Sequence, residues 1–164
     1  VAVTVFDIDG VLADVRHRLH HLQTRPKDWK AFFAAAVDDP VLEPGRRAIL
    51  EAQEAGSTIV YVTGRPRRCR EDTIEWLRRY GMPQGVLHMR PNHDRRPARF
   101  YKADIITALA REDDLIAVID DDDKVVGHLR ELGLPVLHAT WMQDEPGERQ
   151  LDLLEQAQEE EGRT

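Results

Sequence analysis

Five short apolar, β-rich runs recur along the chain with amphipathic stretches between them, and this alternation restricts the architecture more than any other feature. The runs are residues 1–6, 58–62, 86–89, 115–119 and 135–138, and helical patterns occupy about 45–55, 67–80, 101–111 and 123–132. Gly56, Gly81 and Gly133 stand where helices would stop. Strands alternating with helices predict a parallel sheet covered on both faces, a doubly wound α/β fold. With 164 residues and 41% hydrophobic content, one domain with one main core is expected. Segment 11–43 is too long for a simple strand-to-helix turn and holds helical pieces of its own, 15–22 and 29–37. It is predicted to be a small cap insertion after the first strand, beside the site. Residues 144–164 read as an acidic tail or surface helix.

In an open parallel sheet the carboxyl ends of the strands form the ligand crevice. Four polar blocks fit such positions: Asp7-Ile8-Asp9-Gly10, Thr63-Gly64-Arg65, Lys102, and Asp120-Asp121-Asp122-Asp123. They are predicted to converge although they lie far apart in sequence. Asp7 and Asp9 share one side of an extended chain, because side chains alternate with period two. Two acidic clusters facing each other repel unless a divalent cation neutralises them, and oxygen ligands with water-filled positions suit Mg²⁺. Thr63, Arg65 and Lys102 add donors and positive charge for an anion. The combination points to a metal-assisted phosphate site. One carboxylate can attack phosphorus while its neighbour two residues on donates a proton to the leaving oxygen.

The net charge of −7 conceals an asymmetry. Residues 65–102 carry eleven Lys/Arg against four Asp/Glu, a surplus of +7, whereas 103–164 carry five against seventeen, −12. The ordinary reading of such charges is solvated helix faces. A basic stretch between two acidic blocks also suits the reception of a polyanionic substrate, while the overall acidity argues against broad nonspecific binding to duplex. No apolar run of membrane-spanning length and no charged-then-apolar leader is present, so a soluble protein without a membrane partner is expected. The single cysteine, Cys69, can form no internal disulfide, which favours a reducing compartment such as the cytoplasm. Val1 in place of Met leaves two readings open, processing of the start or a domain from a longer chain.

Taken singly, several residues have plainer explanations. Lys102 alone is an ordinary helix-surface lysine. Asp122 and Asp123 fit a helix N-terminus, where the dipole favours acids. His17, His20 and His21 have helical spacing but no cysteine or carboxylate partner at zinc-ligand spacing, so a surface or substrate contact is the stronger reading. Trp29, Phe32 and Phe33 form an aromatic stripe suited to core packing, with base stacking as the alternative. Arg67, Arg68 and Arg70 open a helix, where positive charge is mildly unfavourable. That cost hints at use.

Together, Asp7-Ile8-Asp9-Gly10, Thr63-Gly64-Arg65, Lys102 and Asp120-Asp121 resemble the four motifs of the haloacid dehalogenase superfamily of aspartate-nucleophile phosphohydrolases. The resemblance spans about residues 1–141 and implies a phosphatase domain over 1–143. Within that superfamily, three stretches are similar to the phosphatase domain of polynucleotide kinase-phosphatases. These are Val62-Thr63-Gly64-Arg65-Pro66, the run from Met89-Arg90-Pro91 through Asp94-Arg95-Arg96 to Lys102, and Ile119-Asp120-Asp121 through Val125-Val126. Such domains remove 3′-phosphates from nucleic-acid ends. The resemblance implies Asp7 as nucleophile and Asp9 as general acid and later base. Mg²⁺ would rest on Asp7, the Asp9 backbone carbonyl and Asp121, with Asp120 orienting that shell or taking over as ligand. Thr63 and the N–H of Gly64 would hold phosphate oxygens, and Lys102 would neutralise phosphate and nucleophile. Arg65 would be a further basic contact; Arg67 and Arg68, from their charge at the helix start, and Arg96 are expected to contact substrate as well. The implied partners are phosphorylated nucleic-acid ends or nucleotides and, in a longer chain, an upstream kinase or ligase domain. Val11 stands where the superfamily usually has Thr, and Ala98 where the polynucleotide-phosphatase pattern usually has an acid.

Two other functions share these features. A nucleotidase or other small-molecule phosphomonoesterase uses the same core, since fold does not choose substrate. A phospho-accepting signalling domain also combines clustered Asp, Thr and Lys on a doubly wound sheet, but there the phosphorylated Asp follows the third strand, whereas Met89-Arg90 ends it here. A kinase lacks support because no Gly-rich phosphate loop ending in Gly-Lys-Ser/Thr is present.

Overall fold

The computed structural model describes residues 1–142 and 148–162. Five strands form one parallel sheet: β1 (Ala2–Phe6), β2 (Thr58–Pro66), β3 (Val86–Arg90), β4 (Asp114–Asp120) and β5 (Val136–His138), in the order β3-β2-β1-β4-β5. β1 is central, with Phe6 beside Tyr61 on one flank and Ile119 on the other. A parallel strand covered on both faces must be apolar nearly throughout, as Ala2–Phe6 is.

The alternation of side chains divides the core into two layers. Val3, Val5, Val60, Val62 and Val118 pack with Ala103 and Ile106 of α4 (Ala98–Glu112) and Val125 and Leu129 of α5 (Asp123–Glu131). Phe6, Ile59, Tyr61 and Ile119 join the other layer, with Ile49 of α2 (Glu43–Glu54) and Trp76 and Leu77 of α3 (Arg70–Arg79). Helices therefore cover both faces, as the doubly wound reading requires. Gly56, Gly81 and Gly133 take positive φ at the three expected stops. β2 runs on to Pro66 because its pairing with β3 resumes past a bulge: Thr63 lies beside Met89, but Pro66 beside Arg90. The helix expected from residue 67 starts as a 3₁₀ turn, Arg67–Cys69, and becomes α-helical at Arg70.

The insertion after β1 holds a 3₁₀ helix (Arg16–Leu22), α1 (Trp29–Ala34) and a second 3₁₀ turn (Ala35–Asp38). Its two ends are stapled together: Leu42 N–H donates to the Leu12 carbonyl at 2.8 Å and Asp14 N–H to that of Pro40 at 2.9 Å. Leu12, Val15, Leu19, Leu22, Phe32 and Phe33 are buried in the same cluster as Phe6 and Trp76, so the segment is built into the domain core. Trp29, Phe32 and Phe33 pack on one another there, with Trp29 and Phe33 stacked at 5.8 Å. The base-stacking alternative for this stripe does not hold.

Of the expected tail, residues 144–147 and 163–164 lie outside the described residues. Between them α6 (Glu148–Glu161) packs on the 3₁₀ helix of the insertion. Leu154 and Ala157, three apart on one helical face, are buried. Glu161 accepts hydrogen bonds from Lys27 Nζ at 2.7 Å and Trp29 Nε1 at 2.6 Å. No helix among the described residues is long and apolar enough to cross a membrane.

Since Trp29 fills the junction of insertion, core and α6, Trp29→Ala should destabilise the fold by about 3–5 kcal/mol in denaturant unfolding. Its activity losses should then be equal for nucleotide and non-nucleotide phosphates. A stable variant with a loss confined to nucleotides would contradict this core role.

Candidate active site

At the end of β1 the backbone of Asp7 still donates to the Ile119 carbonyl of β4, at 3.0 Å. The chain then folds back tightly, with the N–H groups of Leu12 and Ala13 donating to the Ile8 carbonyl at 2.8 and 2.9 Å. Gly10 turns the corner at φ +80°, and a Cβ there would collide with the Asp121 carboxylate. The first and last motif blocks are thus pressed together.

Carboxylate oxygens of Asp7, Asp120 and Asp121 lie within 4.8 Å of one another. From α4, Lys102 reaches between two of them, its Nζ 2.9 Å from Asp7 and 2.6 Å from Asp120. Asp120 also accepts the Asp122 N–H at 3.1 Å, so both its oxygens are engaged. Burial disfavours a charged lysine, but Asp120 and Asp7 hold the Lys102 ammonium well above its ordinary pKa. Burial raises Asp7 to about 7; Lys102 opposes the rise and Asp120 adds to it. Burial, together with Asp120 and Asp7, pushes Asp121 well above the carboxylate range. Three carboxylates sharing one ammonium leave an excess of negative charge, and their hard oxygen donors fit Mg²⁺. Asp7, with one oxygen on Lys102 and the other open, and Asp121 could hold it, with Asp120 steadying Lys102 alongside. Asp122 instead starts α5, its side chain accepting from the N–H groups of Lys124 and Val125, as expected of a helix N-cap.

Asp9 points into a different environment. Its Oδ1 accepts from Arg65 Nη2 at 2.6 Å and from Arg18 Nη2 at 2.8 Å, and both arginines also grip Asp39, at 3.2 and 2.8 Å. All four side chains are buried. Burial alone would raise Asp9, yet Arg65 and Arg18 outweigh it and hold the carboxyl down at about 2. Its carboxylate is outside the metal-capable trio, leaving only its backbone carbonyl for the expected metal role.

Thr63 is buried at the exit of β2, and its hydroxyl accepts from the Arg65 N–H at 3.2 Å. The bulge that follows turns Arg65 inward. Arg65, expected to contact substrate, spends its donors on Asp9, Asp39 and Thr73. The Gly64 carbonyl accepts from Arg90 Nε at 3.1 Å. Arg67 and Arg68 are exposed, Arg68 with its guanidinium 5.3 Å from the Phe33 ring centroid. Arg96 is exposed but ion-paired with Asp94 at 3.0 Å and Asp104 at 2.7 Å. His17 lies 2.6 Å from Asp39, and among the described residues no histidine joins a metal-capable group. Arg18 and Asp39 were not expected at the site. The one signal for Arg18 was its place among Val15, Leu19 and Leu22, on the apolar side of its segment; Asp39 gave none.

A cation held by Asp7 would compete there with a proton. The raised pKa means that the folded state holds this proton more tightly than the unfolded chain, so without metal stability falls as pH rises from the ordinary carboxylate range through about 7. Saturating Mg²⁺ should therefore raise the unfolding temperature more above that pH than below it. A shift independent of pH, or none, would contradict the assignment of Asp7 as a ligand.

Comparison with known proteins gives four matches. The family model for the polynucleotide kinase PNKP phosphatase domain matches residues 1–141. Among solved structures, the Pnkp1/Rnl/Hen1 complex contains a chain similar at TM-score 0.68 and 24% identity, over 84% of this chain and 45% of that one. The class C acid phosphatase from Bacillus anthracis is similar at TM-score 0.62 and 13% identity, over 94% of this chain and 78% of that one. Both show a shared fold. Membrane-associated phosphatidylinositol transfer protein 3 of Mus musculus is 35% identical over 60 residues, 34% of this chain and 6% of that protein. The chain thus spans less than half of the Pnkp1/Rnl/Hen1 chain and a small part of the transfer protein. With the family match running from β1 through β5 and the four motif blocks at one end of the sheet, the chain belongs to the polynucleotide kinase PNKP phosphatase domain family, within the haloacid dehalogenase superfamily of phosphatases.

Proposed function

We propose that the chain is a Mg²⁺-dependent phosphatase that removes 3′-phosphates from nucleic-acid or nucleotide ends through a phosphoaspartate at Asp7. The observation that carries this reading is the divergence of two aspartates two residues apart. Asp7 lies with Asp120, Asp121 and Lys102, whereas Asp9 lies under Arg65 and Arg18. This divergence supports different roles for the two, attack on phosphorus for Asp7 and proton transfer for Asp9.

In the first step an Asp7 oxygen forms a bond to phosphorus as the bond to the 3′-oxygen breaks, and the leaving oxygen takes a proton from Asp9. Asp9 begins ionised, so it must first gain that proton; a substrate phosphate competing for Arg65 would raise it toward the protonated form. In the second step water attacks the phosphoaspartate, Asp9 accepts its proton, and Asp7 is restored as phosphate departs. Thr63 and the Gly64 N–H hold phosphate oxygens, and Lys102 offsets the charge of Asp7 and the transferring group. Bound Mg²⁺ would supply Lewis-acid stabilisation of the phosphoryl oxygens.

Three observations support a nucleic-acid end as substrate: the family's own description, the likeness to a chain of the Pnkp1/Rnl/Hen1 RNA repair complex, and the +7 surplus of eleven Lys/Arg over four Asp/Glu in residues 65–102. An end-acting enzyme holds few phosphates, so a local basic strip suffices and the salt dependence is shallow. The lone, buried Cys69 accords with action in the cytoplasm.

A phosphate-release panel tests the reading, with 3′-phosphorylated oligonucleotides, 3′- and 5′-mononucleotides and sugar phosphates, each with Mg²⁺ and with chelator. Phosphorylated 3′ ends should be hydrolysed fastest, and chelator should abolish the activity. Asp7→Asn should lower kcat by about 10³-fold or more with the fold retained. Preference for sugar phosphates, chelator-resistant turnover, or near-normal activity of Asp7→Asn would contradict it.

A further inference from the structure

α4 carries two buried polar side chains in succession, Tyr101 and Lys102. Lys102 enters the carboxylate trio. Tyr101, 4% exposed, leaves its hydroxyl buried without a hydrogen-bond partner among the described residues. A buried donor left unpaired costs free energy, and a ligand oxygen that accepts from it recovers that cost. Burial pushes this phenol up to about 12, so it stays protonated and able to donate, even with Arg90, Lys102 and Arg67 near enough to favour its ionised form.

Tyr101 lines a cleft of about 570 Å³ between β3 and α4, together with Arg67, Arg70, Leu87, Met89 and Arg96. That volume is in the range of small-ligand sites. Arg96 is balanced by Asp94 and Asp104, which leaves Arg67 and Arg70 as the cleft's uncompensated guanidinium charges among the described ion pairs. Leu87 and Met89 give it an apolar wall. An anionic group with a flat apolar body, a nucleotide unit, matches this lining.

The cleft also adjoins the site. Met89 pairs with Thr63, so the cleft begins one strand over, about 4.8 Å. Arg90 joins the two from behind: its guanidinium lies 5.0 Å from the Tyr101 ring centroid and donates to the carbonyls of Gly64 at 3.1 Å and Arg96 at 2.7 Å. We propose that this cleft binds the nucleotide preceding the phosphorylated end, with the Tyr101 hydroxyl donating to the internucleotide phosphate and Arg67 and Arg70 offsetting its charge. The assignment rests on the reading of the chain as a 3′-phosphatase of nucleic-acid ends.

The test compares kcat/KM for the 3′-phosphorylated dinucleotides TpTp and UpUp with that for the mononucleotides Tp and Up, with sugar phosphates as a third arm. Native enzyme, Tyr101→Phe and Arg67→Gln are each assayed, and thermal unfolding is followed in parallel. Native enzyme should prefer the dinucleotide of at least one sugar type. Tyr101→Phe should reduce that preference about tenfold, through KM and not kcat, with no fall in unfolding temperature, since the hydroxyl it removes has no hydrogen-bond partner among the described residues. Arg67→Gln, altered at an exposed position, should reduce it in the same direction. A dinucleotide preference that survives both substitutions, or equal loss on dinucleotide and mononucleotide, overturns the cleft assignment alone. Native preference for sugar phosphates over every nucleotide overturns it together with the 3′-phosphatase reading.

Discussion

Three carboxylates at the exits of β1 and β4 meet with one ammonium to balance them, and much of the molecule is arranged around that imbalance. Asp7 and Asp120–Asp121 can face each other because β4 pairs directly with β1. Lys102 reaches them because α4 is fastened over the sheet by Ala103 and Ile106 on the valine layer. Leaving a buried charge unpaired costs several kcal/mol, so the ion pairs of Lys102 and the packing of α4 support each other. What remains uncompensated is negative charge on Asp7 and Asp121, the condition that favours a divalent cation. Gly10 permits the approach, since any side chain there would occupy the space of the Asp121 carboxylate.

The insertion after β1 has a part in building the candidate site that its position outside the sheet conceals. It supplies Arg18 and Asp39, and with Arg65 from the β2 bulge they form the buried network that keeps Asp9 ionised. Asp7 and Asp9, two residues apart, therefore rest in opposite states: one drawn toward protonation near neutral pH, the other ionised far below it. These resting states are the reverse of what attack by Asp7 and proton donation by Asp9 require, so under the proposed mechanism a metal at Asp7 and a substrate phosphate at Arg65 would have to exchange them. The insertion's apolar side, continuous with the core, holds Arg18 rigidly in place.

Much of this was legible in the sequence because the signals are local. Apolar runs ending in Asp or Thr, glycines at helix ends and Asp122 before Lys124-Val125 each carry their own chemistry, and the strand–helix rhythm orders them. Features created by distant packing were not legible. Arg65 carries the motif, but its inward turn depends on a bulge against β3. Arg18 lies in a histidine-rich stretch that reads as surface, and Asp39 precedes Pro40 in what reads as an ordinary turn. The burial of Trp29 depends on α6, whose Leu154 and Ala157 are thinly spread in a glutamate-rich segment. Tyr101 stood next to the motif lysine without a motif of its own.

On the proposed mechanism Asp7, whose carboxylate lies with those of Asp120 and Asp121 beside Lys102, becomes covalently phosphorylated and Asp9 does not. An acyl phosphate is reduced by borohydride to an alcohol, which converts the aspartate that bore it to homoserine. Enzyme quenched with borohydride during turnover of a 3′-phosphorylated oligonucleotide, then digested and sequenced by mass spectrometry, should carry homoserine at position 7 and aspartate at position 9. Homoserine at position 9, or at neither position under conditions where phosphate is released, would contradict the account.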